Sequence, residues 1–209
     1  RGSELGETEI NLEVARPVTS MQKTRVLIVD DHPTFREGLR SLISHIDGFE
    51  VCAEADGESI AMRLLEKQSP DLMIADLNLK DGSGLKLVNR ARQAYPHLRI
   101  LVASMYEETV YGERAISNGA NGYVCKQDDP DKLVMAIELV SQGQIFVSKE
   151  LADRMLAHKL SGDDVRTDDL TALLSDRELQ VFELIGNGYS TKEIAARLHL
   201  SSKTVDSHR

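Results

Sequence analysis

Residues Asp71–Gly84 read Asp-Leu-Met-Ile-Ala-Asp-Leu-Asn-Leu-Lys-Asp-Gly-Ser-Gly. The run Leu72–Ala75 is apolar throughout, which predicts a strand buried on both faces. Asp76 stands at the end of that strand, and the loop after it is polar and carries Gly82 and Gly84. An acidic residue at the mouth of a buried strand is suited to chemistry if neighbouring strands bring complementary groups to the same rim.

Reading outward, the same alternation recurs on both sides. Upstream, Arg25–Val29 is a continuous β-branched and aliphatic run ending in Asp30-Asp31. From Pro33 the apolar residues Phe35, Leu39, Leu42, Ile43 and Ile46 follow a helical spacing. A short strand at Phe49–Ala53 and a helix at about Glu58–Lys67 precede Pro70. Downstream come a helix at about Leu85–Tyr95 stopped by Pro96, then a strand at Arg99–Ala103 ending in Ser104. A more polar helix at about Glu107–Asn118 ends at Asn118-Gly119. The strand Gly122–Cys125 ends in Lys126, and Pro130 opens a helix running to Gly143. Strands alternating with helices predict βαβ units and a parallel sheet covered on both faces. In such a sheet the functional crevice lies at the carboxyl ends of the strands. Asp30, Asp31, Asp76, Ser104 and Lys126 all fall there.

The texture changes after Gly143. Ser148 is placed to cap a helix carrying Leu151, Met155, Leu156 and Leu160 on one side. Residues 161–169 hold four aspartates and read as a solvated linker. Ser175-Asp176-Arg177-Glu178 and Ser190-Thr191-Lys192-Glu193 are capping boxes. The first opens a helix with Leu179, Phe182 and Ile185, and the second a helix with Ile194, Ala195 and Leu198. After a turn at His199–Leu200, Ser201 can cap a third helix containing Val205. Two short capped helices joined by a tight turn suggest a helix-turn-helix. That third helix stops at Arg209 after about two turns, marginal by itself, so a truncated output domain is expected. Residues 1–22 read as a poorly ordered leader.

Bulk properties narrow the function. The chain has 209 residues, enough for one large domain or two small ones. A net charge of −9 argues against non-specific coating of nucleic acid but allows a local basic face. Cys52 and Cys125 sit in apolar runs, as buried thiols of a reducing compartment do. No apolar run approaches the roughly 20 residues of a membrane span, and the amino terminus lacks a signal-peptide layout. A cytoplasmic protein without membrane contact is expected.

Singly, each rim residue has an ordinary explanation. Asp30-Asp31 would serve as a loop or helix cap, Lys126 as a surface lysine and Tyr123 as core. Together they suit a phosphoryl group. Converging carboxylates repel one another, and a hard divalent cation resolves that repulsion. A hydroxyl and an ammonium can then neutralise the transferring oxygens while a central carboxylate attacks.

At these residues the chain resembles the receiver domain of two-component response regulators. The resemblance rests on Val29-Asp30-Asp31-His32-Pro33, Asp76-Leu77, Gly82-Ser83-Gly84, Ser104 and Tyr123-Val124-Cys125-Lys126. It implies a flavodoxin-like five-stranded sheet in the order 2-1-3-4-5. It implies that Asp76 accepts phosphate from a sensor histidine kinase. Mg2+ would sit on Asp30, Asp31, Asp76 and the backbone carbonyl of Asn78. Ser104 and Lys126 would bind the phosphoryl oxygens, with Ser104 and Tyr123 as the switch pair and His32 as a non-ligand. Two positions depart from the family pattern: Lys80 replaces the frequent proline, and Ser104 replaces threonine.

The carboxyl-terminal segment resembles the LuxR/NarL output domain. The resemblance is carried by Leu174–Glu178, Gly188–Ala195 and Leu200–His208. It implies an all-α helix-turn-helix domain that binds promoter DNA, with Lys192, Lys203, Asp206, Ser207 and Arg209 as candidate contacts. Val205 is expected to pack inward. Over residues 170–209 five basic and five acidic residues balance, so DNA affinity is expected to need further sequence or dimerisation. The expected organisation is a leader at 1–22, a receiver at 23–143, a linker with a helix at 144–169 and a truncated output domain at 170–209. The expected function is a transcriptional response regulator that dimerises when phosphorylated and has no turnover beyond its own phosphotransfer and dephosphorylation. The alternative is a regulator acting through protein contacts of a helical tail.

Overall fold

The computed structural model describes residues 23–161 and 174–208. The expected leader, most of the acidic linker and Arg209 lie outside the described residues. The first unit opens with β1 (Thr24–Val29), α1 (Pro33–Ser44), β2 (Phe49–Ala55), α2 (Glu58–Gln68) and β3 (Leu72–Ala75). A hairpin of β4 (Asn78–Leu79) and β5 (Gly82–Ser83) follows, then α3 (Gly84–Ala94), β6 (Arg99–Ser104), α4 (Glu108–Ser117), β7 (Gly122–Cys125) and α5 (Pro130–Ser141). The main sheet is parallel throughout, in the order β2-β1-β3-β6-β7. With the small hairpin set aside, this is the expected 2-1-3-4-5 order.

The continuous apolar runs are explained by burial on two sides. Alternate side chains of β1, β3 and β6 divide between two cores. Leu27, Val29, Met73, Ala75, Ile100 and Val102 face the core beneath α2, α3 and α4. Val26, Ile28, Leu72, Ile74, Leu101 and Ala103 face the one beneath α1 and α5. β2 lies at the sheet edge, and a register shift between Val26 and Leu27 marks its pairing with β1. It runs two residues further than its sequence suggested. Cys52 and Cys125 are free and only partly buried, where full burial was expected.

Helix punctuation follows local chemistry. Pro33 and Pro130 occupy first-turn positions, and the Asp129 carboxylate accepts from Asp131 N. α4 closes with Gly119 N donating to Ile116 O and Ala120 N to Ala115 O, with Gly119 at φ +106°. Gly84 has a different reason. A Cβ there would lie 1.9 Å from the Asp76 carbonyl oxygen, so only glycine lets α3 begin this close to the end of β3.

Beyond α5 come α6 (Lys149–Ser161), α7 (Asp176–Gly186), α8 (Thr191–Arg197) and α9 (Ser202–Ser207). Both capping boxes form. Val181, Leu184, Ile194, Ala195, Leu198 and Val205 make a separate small core. Two apolar faces differ from expectation. Among the described residues of α6 only Leu151 is buried, while Leu156 and Leu160 are exposed; in α7 Phe182 is exposed. Leu179 instead joins the receiver core on the α4 side, and Leu174 packs against it. α7 therefore splits its apolar residues between two cores, which a single helical stripe cannot show.

Candidate functional site

Parallel register brings the rim residues together. Asp30 N donates to Ala55 O at 3.0 Å, Asp76 N to Val29 O at 2.9 Å and Lys126 N to Ser104 O at 2.7 Å. These ladder bonds fix where each side chain leaves the sheet. Asp30, Asp76 and Ser104 are all buried. Lys126 Nζ lies 2.5 Å from Asp30 Oδ2 and 2.7 Å from Asp76 Oδ2, and 4.4 Å from the centroid of the Phe35 ring. The ring gives the ammonium an apolar floor and a further electrostatic partner.

The charges do not balance. Asp30, Asp31 and Asp76 face Lys126 within a rim shielded from water. Burial pushes the Asp76 carboxyl above the ordinary aspartate range against the pull of Lys126, and Asp30 adds to the rise. Asp76 Oδ1 and Ser104 Oγ are buried without a hydrogen-bond partner among the described residues. Ligand atoms of Asp30, Asp31, His32 and Asp76 lie within 4.8 Å of one another. A hard cation with oxygen ligands at about 2.0–2.1 Å fits such a donor set and relieves its excess negative charge. The His32 imidazole, expected to be a bystander, approaches Asp31 Oδ1 at 2.7 Å and Asp30 Oδ1 at 3.3 Å.

The loop after Asp76 is held from outside. Asp81 accepts from Glu58 N at 2.6 Å and Ser59 N at 3.1 Å, so a residue of this loop satisfies the first amides of α2. Lys80, in place of the frequent proline, pairs with Asp56 at 3.3 Å. Tyr123 is buried, and its hydroxyl donates to Tyr106 O at 2.8 Å. The Tyr106 and Tyr111 rings meet with centroids 4.8 Å apart. A path of packed aromatics thus leads from the rim to α4.

The helix-turn-helix faces this rim. Asn78 Nδ2 donates to Arg197 O at 3.0 Å, His199 Nε2 lies 2.8 Å from Asp31 Oδ2, and Arg114 donates to Leu174 O at 2.8 Å. A cavity of about 240 Å³ remains between the units, lined by His32, Asp76 and Ser104 on one side and Glu183, Tyr189 and Arg197 on the other. Sequence reading missed Glu183, Tyr189, Arg197 and His199 as neighbours of the site. Their partners are remote in the chain, so no local pattern marks them. Of the DNA candidates, Lys192, Lys203, Asp206 and Ser207 are exposed, and Val205 is buried beneath them.

A doubly wound sheet with an acidic rim, joined to capped helices around a second core, defines a receiver protein with a helical output domain. Comparison with known proteins agrees. Residues 26–138 match the response regulator receiver domain, and residues 172–209 match the bacterial regulatory proteins of the luxR family. The oxygen regulatory protein NreC of Staphylococcus haemolyticus is 34% identical over 190 residues, covering 88% of this chain and 87% of its own. The transcriptional regulatory protein DegU of Brevibacillus brevis is 29% identical, covering 89% and 84%. Among solved structures, Salmonella enterica RcsB bound to a promoter with a phosphomimetic superposes with a TM-score of 0.59 at 26% identity, covering 90% of this chain and 89% of that one. The chain belongs to the LuxR family of response regulators. It combines a receiver with a DNA-binding domain of the luxR type, and transcription regulation is its function.

Proposed function

We propose that Asp76 is the phosphoacceptor and that a sensor histidine kinase is the donor. The observation that carries this reading is the asymmetry of the Asp76 carboxylate. Oδ2 is held by Lys126, whereas buried Oδ1 has no hydrogen-bond partner among the described residues. An oxygen so placed can attack phosphorus, forming an acyl phosphate as the phosphorus–nitrogen bond to the donor imidazole breaks. Lys126 and Ser104 then hold the phosphoryl oxygens. Asp30, Asp31, Asp76 and the Asn78 backbone carbonyl would hold Mg2+, which supplies charge neutralisation there. No turnover on external substrates is assigned to the chain, only its own phosphotransfer and dephosphorylation.

Ser104 and Tyr123 form the switch in this reading. Phosphate favours whichever arrangement contacts it better, so phosphorylation shifts a population rather than forcing a motion. Lys192, Lys203, Asp206, Ser207 and Arg209 are the proposed DNA contacts. The promoter-bound RcsB structure supports DNA as partner, and that of two RcsB dimers on two parallel DNAs supports a homodimer. The domain bounds that go with this reading are 23–143, 144–169 and 170–209. Among the described residues no helix is long and apolar enough to cross a membrane, and a cytoplasmic location is proposed from the DNA-binding role. Incubation with radiolabelled acetyl phosphate and Mg2+ tests the acceptor. Wild type is expected to take up label and Asp76→Asn to take up none, and equal labelling of the two defeats the assignment.

A further inference from the structure

The output domain reaches the acidic rim through one turn. Arg197 O accepts from Asn78, and two residues on, His199 Nε2 lies 2.8 Å from Asp31 Oδ2. The His32 ring nitrogen is 2.7 Å from the other oxygen of Asp31. Each oxygen of this carboxylate, whose side chain is 4% exposed, is therefore approached by an imidazole.

Two helices of the described residues close with a non-glycine residue at positive φ, α2 with Ser69 at +44° and α8 with His199. α4, α5 and α7 close with Gly119, Gly143 and Gly188, all at positive φ. α8 closes by the same pair of bonds, His199 N to Ala196 O and Leu200 N to Ala195 O, but His199 stands where the others have glycine, at φ +53°. A side chain in this region is disfavoured relative to glycine. The side chain carried at this position is the one that meets Asp31.

We propose that the Arg197–His199 turn is a metal-sensitive latch: His199 holds the output domain against the receiver through the carboxylate a divalent cation needs, so cation binding alone, before any phosphate, favours the open arrangement. The proposal rests on the reading of Asp31 and Asn78 as cation ligands. An imidazole and a doubly charged ion compete for one carboxylate, and the excess negative charge of the rim favours the ion. Coupling of this kind is reciprocal. Loss of the latch strengthens cation binding by the same factor by which the cation weakens the latch.

The test uses the full chain and Mg2+ alone. His199→Asn shortens the side chain while tolerating the backbone, and His199→Gly relaxes the backbone as well, so a common effect in both reports the lost imidazole. Calorimetry is expected to give both variants a Mg2+ affinity about fivefold or more above wild type. Small-angle scattering is expected to show wild type expanding on Mg2+ addition, with both variants expanded beforehand. Equal or weaker Mg2+ binding by the variants overturns the latch, and weaker binding would mean that His199 supports the cation instead. Compact wild type at saturating Mg2+ overturns it too. Absence of Mg2+ binding in all three chains removes the latch and the ligand assignment together, and labelling of Asp76 then shows whether the acceptor reading survives.

Discussion

Glu183 is a half-buried acid between the two units. Burial raises its pKa, the Tyr111 hydroxyl beside it opposes the rise, and Glu107 adds to it. In the closed arrangement it therefore holds a proton more tightly than an open glutamate near 4.5. Its contribution to closure is fully present below 4.5 and is lost as pH rises through the raised closed-state value. Glu183→Gln removes the charge and keeps the shape. The variant is expected to be more compact than wild type above that window, by a few-fold in the closed-to-open ratio, since half the group remains near water. Scattering radii that depend on pH identically in both chains would exclude this role. Two glycines make a sharper pair. Gly84→Ala drives a Cβ into the Asp76 backbone and is expected to cost about 1–3 kcal/mol or more in denaturant unfolding, with impaired labelling of Asp76. Gly38→Ala, exposed in α1 with nothing within 4 Å, is expected to stabilise by about 0.5–1 kcal/mol. The rim residues were legible in the sequence because parallel strands carry their last residues to one edge whatever the intervening chain does. His199 was not, since its partner lies 168 positions away.

At the scale of elements, legibility followed length and punctuation. The long apolar strands and proline-opened helices emerged within a few residues of their expected bounds, because burial on both faces and fixed φ angles are local signals. The hairpin of β4 and β5 escaped notice because two residues per strand show no period. α6 and α7 were recognised as helices but their faces were misjudged, since periodicity shows that a stripe exists and not which neighbour covers it. α8 shows how far capping carries a short element. It has seven residues, too few to persist alone. Ser190 accepts from Glu193 N while Glu193 reaches back to Ser190 N at 2.8 Å. Ser190→Ala removes one half of this exchange and is expected to cost about 1 kcal/mol. Hydrogen exchange should show faster opening in α8 and α9, with β1, β3 and β6 unchanged. Uniform acceleration across both domains would mean that α8 has no stability of its own to lose.

For the whole molecule, the decisive feature is that the output domain roofs Asp76, the proposed acceptor. A cavity of about 240 Å³ is lined by Asp76; on the proposed reading it has room for a small phosphodonor, whereas a phosphohistidine on a folded kinase would need the roof moved aside. On that reading closure separates donors by size, and its strength sets the ratio of their rates. Leu179 is the handle on that strength. It is buried in the receiver core, while the helix-turn-helix is packed around Val181, Leu184, Ile194 and Val205. Leu179→Ala therefore weakens docking more than it weakens the output domain itself. A buried leucine truncated to alanine commonly costs about 2–5 kcal/mol, and part of that moves the closed-to-open balance. Because the open fraction scales the apparent rate for a donor that needs it, phosphotransfer from a phosphorylated kinase domain is expected to accelerate about tenfold. Labelling from acetyl phosphate should change much less, since that donor fits beneath the roof. Rapid-mixing measurements with the two donors separate the cases. Equal acceleration would show that both need the open form, and no acceleration with either would show that the roof is no barrier.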